Sequence, residues 1–267
     1  MLVFPQLNSG ALVQTSFRRT SETRTEANRL ADGSEVRGPD DSAAAVSWEV
    51  ALSELSDVEL NSISTLFDAV EGRVGTFVFL DPAGNLLQWS EDLSRNCWQK
   101  GAMLQLLPGI ADPFGGTGAV RVTNAGQSAQ DVSQGLAAPA TFFYCLSVYA
   151  RTAAAGSVSL FVQAGQSRQI AVFDLSPAWR RCSLAWNAGI GVDQVSFGVE
   201  LAPGASVEFY GFQAQAQPVA SSYRRTLDAS GVYSAARFDA DEFAAVTDAP
   251  GRHSSSLRIV SRRNGNG

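Results

Sequence analysis

Histidine and lysine are almost missing from this 267-residue chain: His253 is the only histidine, and Lys100 is the only lysine among 20 basic residues. Cysteine is scarce too. Cys97, Cys145 and Cys182 lie far apart, with no Cys-x-x-Cys pair and no Cys/His cluster. These shortages argue against a zinc centre and against a disulfide scaffold, and no metal or other cofactor is expected. A Ser/His/Asp triad would have to use His253, which stands in the polar stretch Gly251-Arg252-His253-Ser254 without a GxSxG elbow. No catalytic residue is therefore assigned, and His253 reads as an exposed loop or strand-edge side chain. No run approaches the ~18 apolar residues of a membrane-spanning helix, and the opening Met1-Leu-Val-Phe-Pro-Gln lacks the charged and apolar regions of a secretion signal. Membrane insertion is not expected.

Charge is also sparse. Charged residues make up 17% of the chain, against roughly 25% in an average soluble protein. The net charge of −6 argues against gripping nucleic acid as the main task. Residues 1–84 hold 6 Arg against 13 acids, residues 85–217 hold 7 bases against 8 acids, and residues 218–267 hold 7 Arg against 5 acids. An acidic first segment and a basic last one can attract each other within one chain or between copies, or can be ordinary solvated surface. The dominance of Arg over Lys reads as the mark of a GC-rich genome, not as a binding site.

What is plentiful is glycine (24), phenylalanine (15) and tryptophan (5), with 45% hydrophobic residues overall. That composition favours strands. One helix stands out. Ser56-Asp57-Val58-Glu59 is a capping box, and Leu60, Ile63, Leu66, Phe67 and Val70 follow at helical spacing up to Gly72. Around it, residues 12–18, 23–30 and 47–52 read as extended, with a turn at Asp32-Gly33, and Thr76-Phe77-Val78-Phe79-Leu80 reads as a short strand stopped by Asp81-Pro82. From Asn85 the texture changes. Short strands over residues 119–123, 141–151, 157–163, 169–174, 179–186, 192–201 and 206–213 are separated by Gly-rich turns, the pattern of an antiparallel sandwich. Residues 236–239 and 255–260 read as two final strands, and 262–267 as a polar, disordered tail.

Two resemblances span nearly the whole chain. Phe4-Pro5-Gln6-Leu7-Asn8-Ser9-Gly10-Ala11, Arg18-Arg19, Leu30-Ala31-Asp32-Gly33-Ser34, Trp48-Glu49-Val50, the helix start at Leu55-Ser56 and Phe77-Val78-Phe79-Leu80-Asp81-Pro82 resemble, in order and spacing, the distal-tail or belt protein family of siphophages and gene-transfer agents. The central Asn85-Leu86-Leu87-Gln88-Trp89-Ser90, Trp98, Asp112-Pro113-Phe114-Gly115-Gly116, Ser147-Val148-Tyr149-Ala150-Arg151, Trp179-Arg180-Arg181 and Tyr210-Gly211-Phe212-Gln213 resemble carbohydrate-binding-module-like jelly rolls fused to phage tail proteins. Gly231-Val232-Tyr233 through Phe238, and residues 254–260, look like the closing strands of the belt domain. The fold class implied is mainly β: a split β-barrel or belt domain with one α-helix, residues 1–84 and 218–267, around an inserted antiparallel β-sandwich (jelly roll), residues 85–217.

The resemblance also implies a setting. Copies would form a ring, a hexamer, at the virion tail tip, assembled in the host cytoplasm. The tail tube protein would lie above, the hub or baseplate protein below, and DNA would only pass through the lumen. An acidic lumen would repel that DNA, and charge reversal at Glu35, Asp40 and Asp41 should then slow genome delivery. The competing reading is an adhesin module for a host-surface glycan.

Sugars stack their apolar faces on aromatic rings and hydrogen-bond to planar polar groups. On the strand from Phe143 to Arg151, the face bearing Tyr149 and Arg151 could touch a glycan, with Gln163 on a neighbouring strand. The plainer reading is that Tyr149 packs and Arg151 is solvated. Glu91-Asp92 lacks a partner carboxylate of the kind a glycosidase needs, and Asp112-Pro-Phe-Gly-Gly-Thr-Gly118 lacks the Lys-Ser/Thr of a phosphate loop.

Overall fold

A computed structural model describes residues 1–8 and 17–262, apart from the side chains of residues 41–43. The extended reading of residues 12–18 falls mostly, and that of the tail 262–267 almost wholly, outside the described residues. The chain divides into two compact units: Met1–Phe79 with Val232–Gly267, and Leu80–Gly231.

The first unit contributes β1 (Phe17–Arg29), β2 (Glu35–Leu55), helix α1 (Asp57–Ala69) and β3 (Phe77–Leu80), and, after the second unit, β14 (Val232–Phe238), β15 (Ala245–Ala249) and β16 (Arg252–Arg262). The strands form one sheet in the order β1-β2-β16-β14-β3, with β15 on β16. Among the described residues this sheet is open and does not close into the expected barrel. The four-residue β3 meets the N-terminal segment through a Val3–Val78 bridge, not β1. The capping box forms as its sequence predicts: the Glu59 amide donates to the Ser56 hydroxyl at 3.3 Å, and the Ser56 amide donates to the Glu59 carboxylate at 2.9 Å. Ile63, Leu66 and Val70 then bury one helix face in a core built on Trp48, whose ring lies 4.9 Å from Phe79 and 4.5 Å from Tyr233.

The β1–β2 hairpin outruns this core. β16 pairs with β2 only from Ala45 onward, whereas β1 follows β2 out to Arg29 opposite Glu35. The ten residues of β2 before Ala45 carry a two-stranded ribbon of roughly 30 Å at about 3.3 Å per residue, and nearly all of β1 is exposed. Gly33, at φ +85°, makes the tip turn, where Asp32 accepts from the Ser34 amide and hydroxyl. Asp40 pairs with Arg24 at 2.6 Å, and Glu35 with Arg37 at 3.1 Å.

The second unit is a sandwich of two five-stranded antiparallel sheets. It comprises β4 (Gln99–Lys100), β5 (Leu104–Ile110), β6 (Ala119–Asn124), β7 (Gln130–Leu136), β8 (Tyr144–Arg151), β9 (Gly156–Ala164), β10 (Ser167–Leu175), β11 (Arg180–Trp186), β12 (Val195–Leu201) and β13 (Ser206–Gln215). One sheet runs β10-β9-β12-β7-β4 and the other β11-β8-β13-β6-β5. Strict alternation sends Leu146, Val148 and Ala150 of β8 and Val158, Leu160 and Val162 of β9 into the shared core. β13 breaks the alternation. Gly211, at φ +67°, bulges the strand so that Phe209 and Phe212, three residues apart, both point inward. A Cβ on Gly211 would lie 3.0 Å from the Tyr223 ring. Residues 218–231 lie against the start of the sandwich, where Asn85 donates to the Arg224 carbonyl and Thr226 donates to the Ser90 hydroxyl.

Candidate functional site

The outer face of the β10-β9-β12-β7-β4 sheet carries a groove of about 470 Å³, with a smaller hollow of about 270 Å³ that shares Gln163 and Ser196 with it. Register explains the lining. Ser196 lies opposite Gln163, Gly198 opposite Phe161 and Ser133, and Glu200 opposite Asp131. Each of these residues belongs to the parity that faces away from the core, so the floor is made of amides, hydroxyls and carboxylates around the Phe161 ring.

Gly198 is the low point of that floor. A Cβ there would meet the Val132 carbonyl, the Phe161 ring at 2.7 Å and Ser133 at 2.7 Å. Phe161 therefore lies flat across the glycine and is only 2% exposed. Arg168, from the edge strand β10, covers the ring with its guanidinium 3.8 Å from the ring centroid. It reaches on across the sheet to Asp131 at 3.0 Å and Glu200 at 2.9 Å. Two carboxylates directly opposite one another on adjacent strands repel, and Arg168 offsets this by bonding both. Gln163 uses one amide hydrogen on the Gly165 carbonyl at 3.2 Å. Gln99, Ser133, Gln194 and Ser196 have no side-chain hydrogen bond to another described residue and stand open to a ligand.

Tyr149 and Arg151 lie elsewhere. β8 belongs to the other sheet, so Gln163 is not on a strand neighbouring them, and the three residues expected to meet one sugar are on opposite faces of the sandwich. The chain leaves β8 after Arg151 and crosses between sheets before β9. Hydrophobic alternation gives a strand's facing but not its sheet. Tyr149 is half-buried, edge-on to Phe114 at 5.6 Å and near Tyr210 at 6.3 Å. Arg151 binds Glu208 at 2.6 Å and lies 4.5 Å over the Trp179 ring. Glu208 also takes Arg121 at 2.6 Å. Burial pushes the Glu208 carboxyl upward, but the hydrogen bonds from the two guanidiniums outweigh it and hold the group below the usual range.

The other residues singled out from the sequence have structural partners. Glu91 accepts from the Tyr223 hydroxyl at 3.0 Å and pairs with Arg225 at 3.0 Å. Burial, followed by the neighbouring Glu91 carboxylate, raises the Tyr210 phenol well above its ordinary value. Asp92 accepts from Ser94 and Arg95. Asp112 pins its glycine-rich loop by accepting from the amides of Phe114, Gly116 and Gly118. His253, expected to be exposed, is 8% exposed on β16, with Nε2 2.7 Å from Asp57 and Nδ1 3.1 Å from the Thr247 hydroxyl. Trp98 is buried, Cys145 and Cys182 are buried free thiols, and burial raises the Cys182 thiol to about 11. Among the described residues no group of three His, Cys, Asp or Glu side chains is placed to hold a metal ion, and no helix is long and apolar enough to cross a membrane.

Sequence reasoning missed the groove residues Asp131, Ser133, Arg168, Ser196 and Glu200. A signal was present: Ser157, Ser159, Phe161 and Gln163 alternate on β9, and Ser196, Gly198 and Glu200 on β12.

No family model matches the chain, and neither does any curated protein. Solved structures similar to it include TmCBM61 in complex with β-1,4-galactotriose, at 12% identity over 50% of this chain and 99% of that one, with a TM-score of 0.39. The CBM22-1 xylan-binding domain of Paenibacillus barcinonensis Xyn10C matches at 13% identity over 51% of this chain and 96% of that one, TM-score 0.41. The enzymatically active domain of bacteriophage CBA120 tailspike protein 4 matches at 8% identity over 51% of this chain and 22% of that one, TM-score 0.40. Similarities this distant assign neither a family nor a ligand.

Proposed function

We propose that this protein is a non-catalytic component of a phage-type tail whose inserted sandwich binds a host-surface glycan. The groove on the β9-β12-β7 face carries the reading. Its open amides and hydroxyls suit the hydroxyl groups of a saccharide, and its one aromatic ring is roofed by a planar guanidinium. A non-catalytic role is supported by the same face. Glycoside hydrolysis uses one carboxylic acid to protonate the leaving group and one carboxylate opposite it, whereas Asp131 and Glu200 are both committed to Arg168. Titrating the full chain with neutral β-1,4-linked oligosaccharides tests the proposal. Binding that is at least tenfold weaker in Gln163→Ala and Ser196→Val supports it, and no binding at millimolar sugar removes it.

A second reading, the tail-tip ring, is favoured by the exposed β1–β2 hairpin. A two-stranded ribbon has little stability of its own, and among the described residues no further strand pairs with either of its edges, which leaves them to another copy. A head-to-tail ring would use the hairpin of one copy on a different surface of the next, with the tail tube protein on one side and the hub on the other. The proposed acidic lumen draws less support, because Glu35 and Asp40 have arginine partners within the hairpin; the Asp41 side chain lies outside the described residues. Replacing residues 22–43 by a short turn should convert an oligomer to a monomer in native mass spectrometry. An unchanged mass distribution would exclude the hairpin from assembly.

A further inference from the structure

The face of the sandwich opposite the groove has an unbalanced cation. Among the guanidiniums on it, Arg121 and Arg151 are both bonded by Glu208, and Arg181 stands beside them. Arg181 has no carboxylate partner among the described residues. Its Nη2 donates to the Ser147 hydroxyl at 3.0 Å, and its guanidinium carbon lies 5.5 Å from the Tyr149 ring centroid. Its Nε is buried without an acceptor. The other acids of this face are occupied: Glu91 by Arg225, and Asp112 by the amides of its own loop. A half-buried cation that lacks both an anion and a full set of acceptors carries a desolvation cost, which an anionic ligand would offset.

The surroundings favour a sugar as the carrier of that anion. Phe114 is 67% exposed and edge-on to Tyr149, on a loop that Asp112 holds rigid through three amides. An exposed ring and a guanidinium that both lie against Tyr149 offer an apolar surface to the C–H face of a pyranose and a fork to a carboxylate on the same sugar.

We propose that Arg181, with Tyr149 and Phe114, forms a second saccharide site, specific for a carboxylate-bearing sugar residue of an acidic polysaccharide. The ligand class rests on the glycan reading above; the site itself is separate from the groove. The test titrates the full chain, by calorimetry, with oligogalacturonate, its methyl ester, a neutral xylo-oligosaccharide and a poly-glutamate peptide. Oligogalacturonate should bind at least tenfold more tightly than its ester and than poly-glutamate. Arg181→Met should lose that preference, and Arg181→Lys, which keeps the charge but not the fork, should retain part of it. Xylo-oligosaccharide binding should be unchanged in both variants and weakened by Gln163→Ala. Equal binding of acid and ester, undiminished binding by Arg181→Met and Arg181→Lys, equal binding of poly-glutamate, or loss of oligogalacturonate binding in Gln163→Ala would each overturn the second site. Failure of the xylo-oligosaccharide alone would instead count against the groove.

Discussion

Lys100 shows how much a single residue can decide without advertising it in the sequence. Its ammonium lies 3.0 to 3.3 Å from the carbonyls of Leu93, Ser94, Arg95 and Trp98, closing the loop that leads into β4. Lys100→Met keeps the aliphatic stem but leaves those carbonyls without their donor. Hydrogen bonds to a charged group are worth about 1.5–3 kcal/mol, so urea unfolding should show the sandwich destabilised by about 2 kcal/mol. As a sequence feature, the lone lysine reads only as a trace of genome composition, because four backbone carbonyls have no signature in side-chain identity. The tyrosines make a second prediction at this scale. Burial raises the phenols of Tyr144, Tyr210 and Tyr223 well above 10, with Glu91 adding to the effect at the latter two. A raised folded pKa means that stability is intact below the unfolded value of about 10 and is lost as pH rises above it. Absorbance at 295 nm should therefore show fewer than the full 5 tyrosines of the chain ionising at pH 11, the rest appearing only on unfolding.

At the scale of elements, β12 illustrates what patterning does and does not reveal. Its alternation made it legible as a strand, and its inward side chains Phe197 and Val199 are buried. The need for glycine at 198 was not legible, because it arises from Phe161 and Val132 on the two flanking strands. Gly198→Ala should displace the Phe161 ring and with it Arg168, costing about 1–3 kcal/mol as overpacking does, measured as a lowered midpoint together with weaker sugar binding. The helix was readable because its capping box and apolar face are local. β5 and β7 were not. Pro108 and Gly109 interrupt the first, and Gln130-Asp131-Val132-Ser133-Gln134 gives the second only one apolar residue in five. β2 was legible only at its core-facing end, since the outer stretch Glu35-Val36-Arg37-Gly38-Pro39-Asp40 is held by cross-strand pairing with β1 and not by burial.

For the whole molecule, strand-and-turn spacing starts at Asn85 in the sequence, while the second compact unit runs from Leu80 to Gly231. Its far end is less visible. Residues 218–231 carry no periodicity and are joined to the sandwich by side-chain bonds from Asn85 and to Ser90. Two compact units with separate cores should unfold separately. Calorimetry of the full chain should resolve two transitions, and residues 80–231 expressed alone should reproduce one of them; a single transition would mean that the cores are energetically coupled. The central claim, that the sandwich is a glycan-binding element, is tested most directly by NMR titration of the full chain with a neutral β-1,4-linked oligosaccharide. Amide and side-chain shifts should concentrate at Gln99, Ser133, Gln163, Gln194 and Ser196. Shifts confined to other surfaces, or none at millimolar sugar, would contradict it.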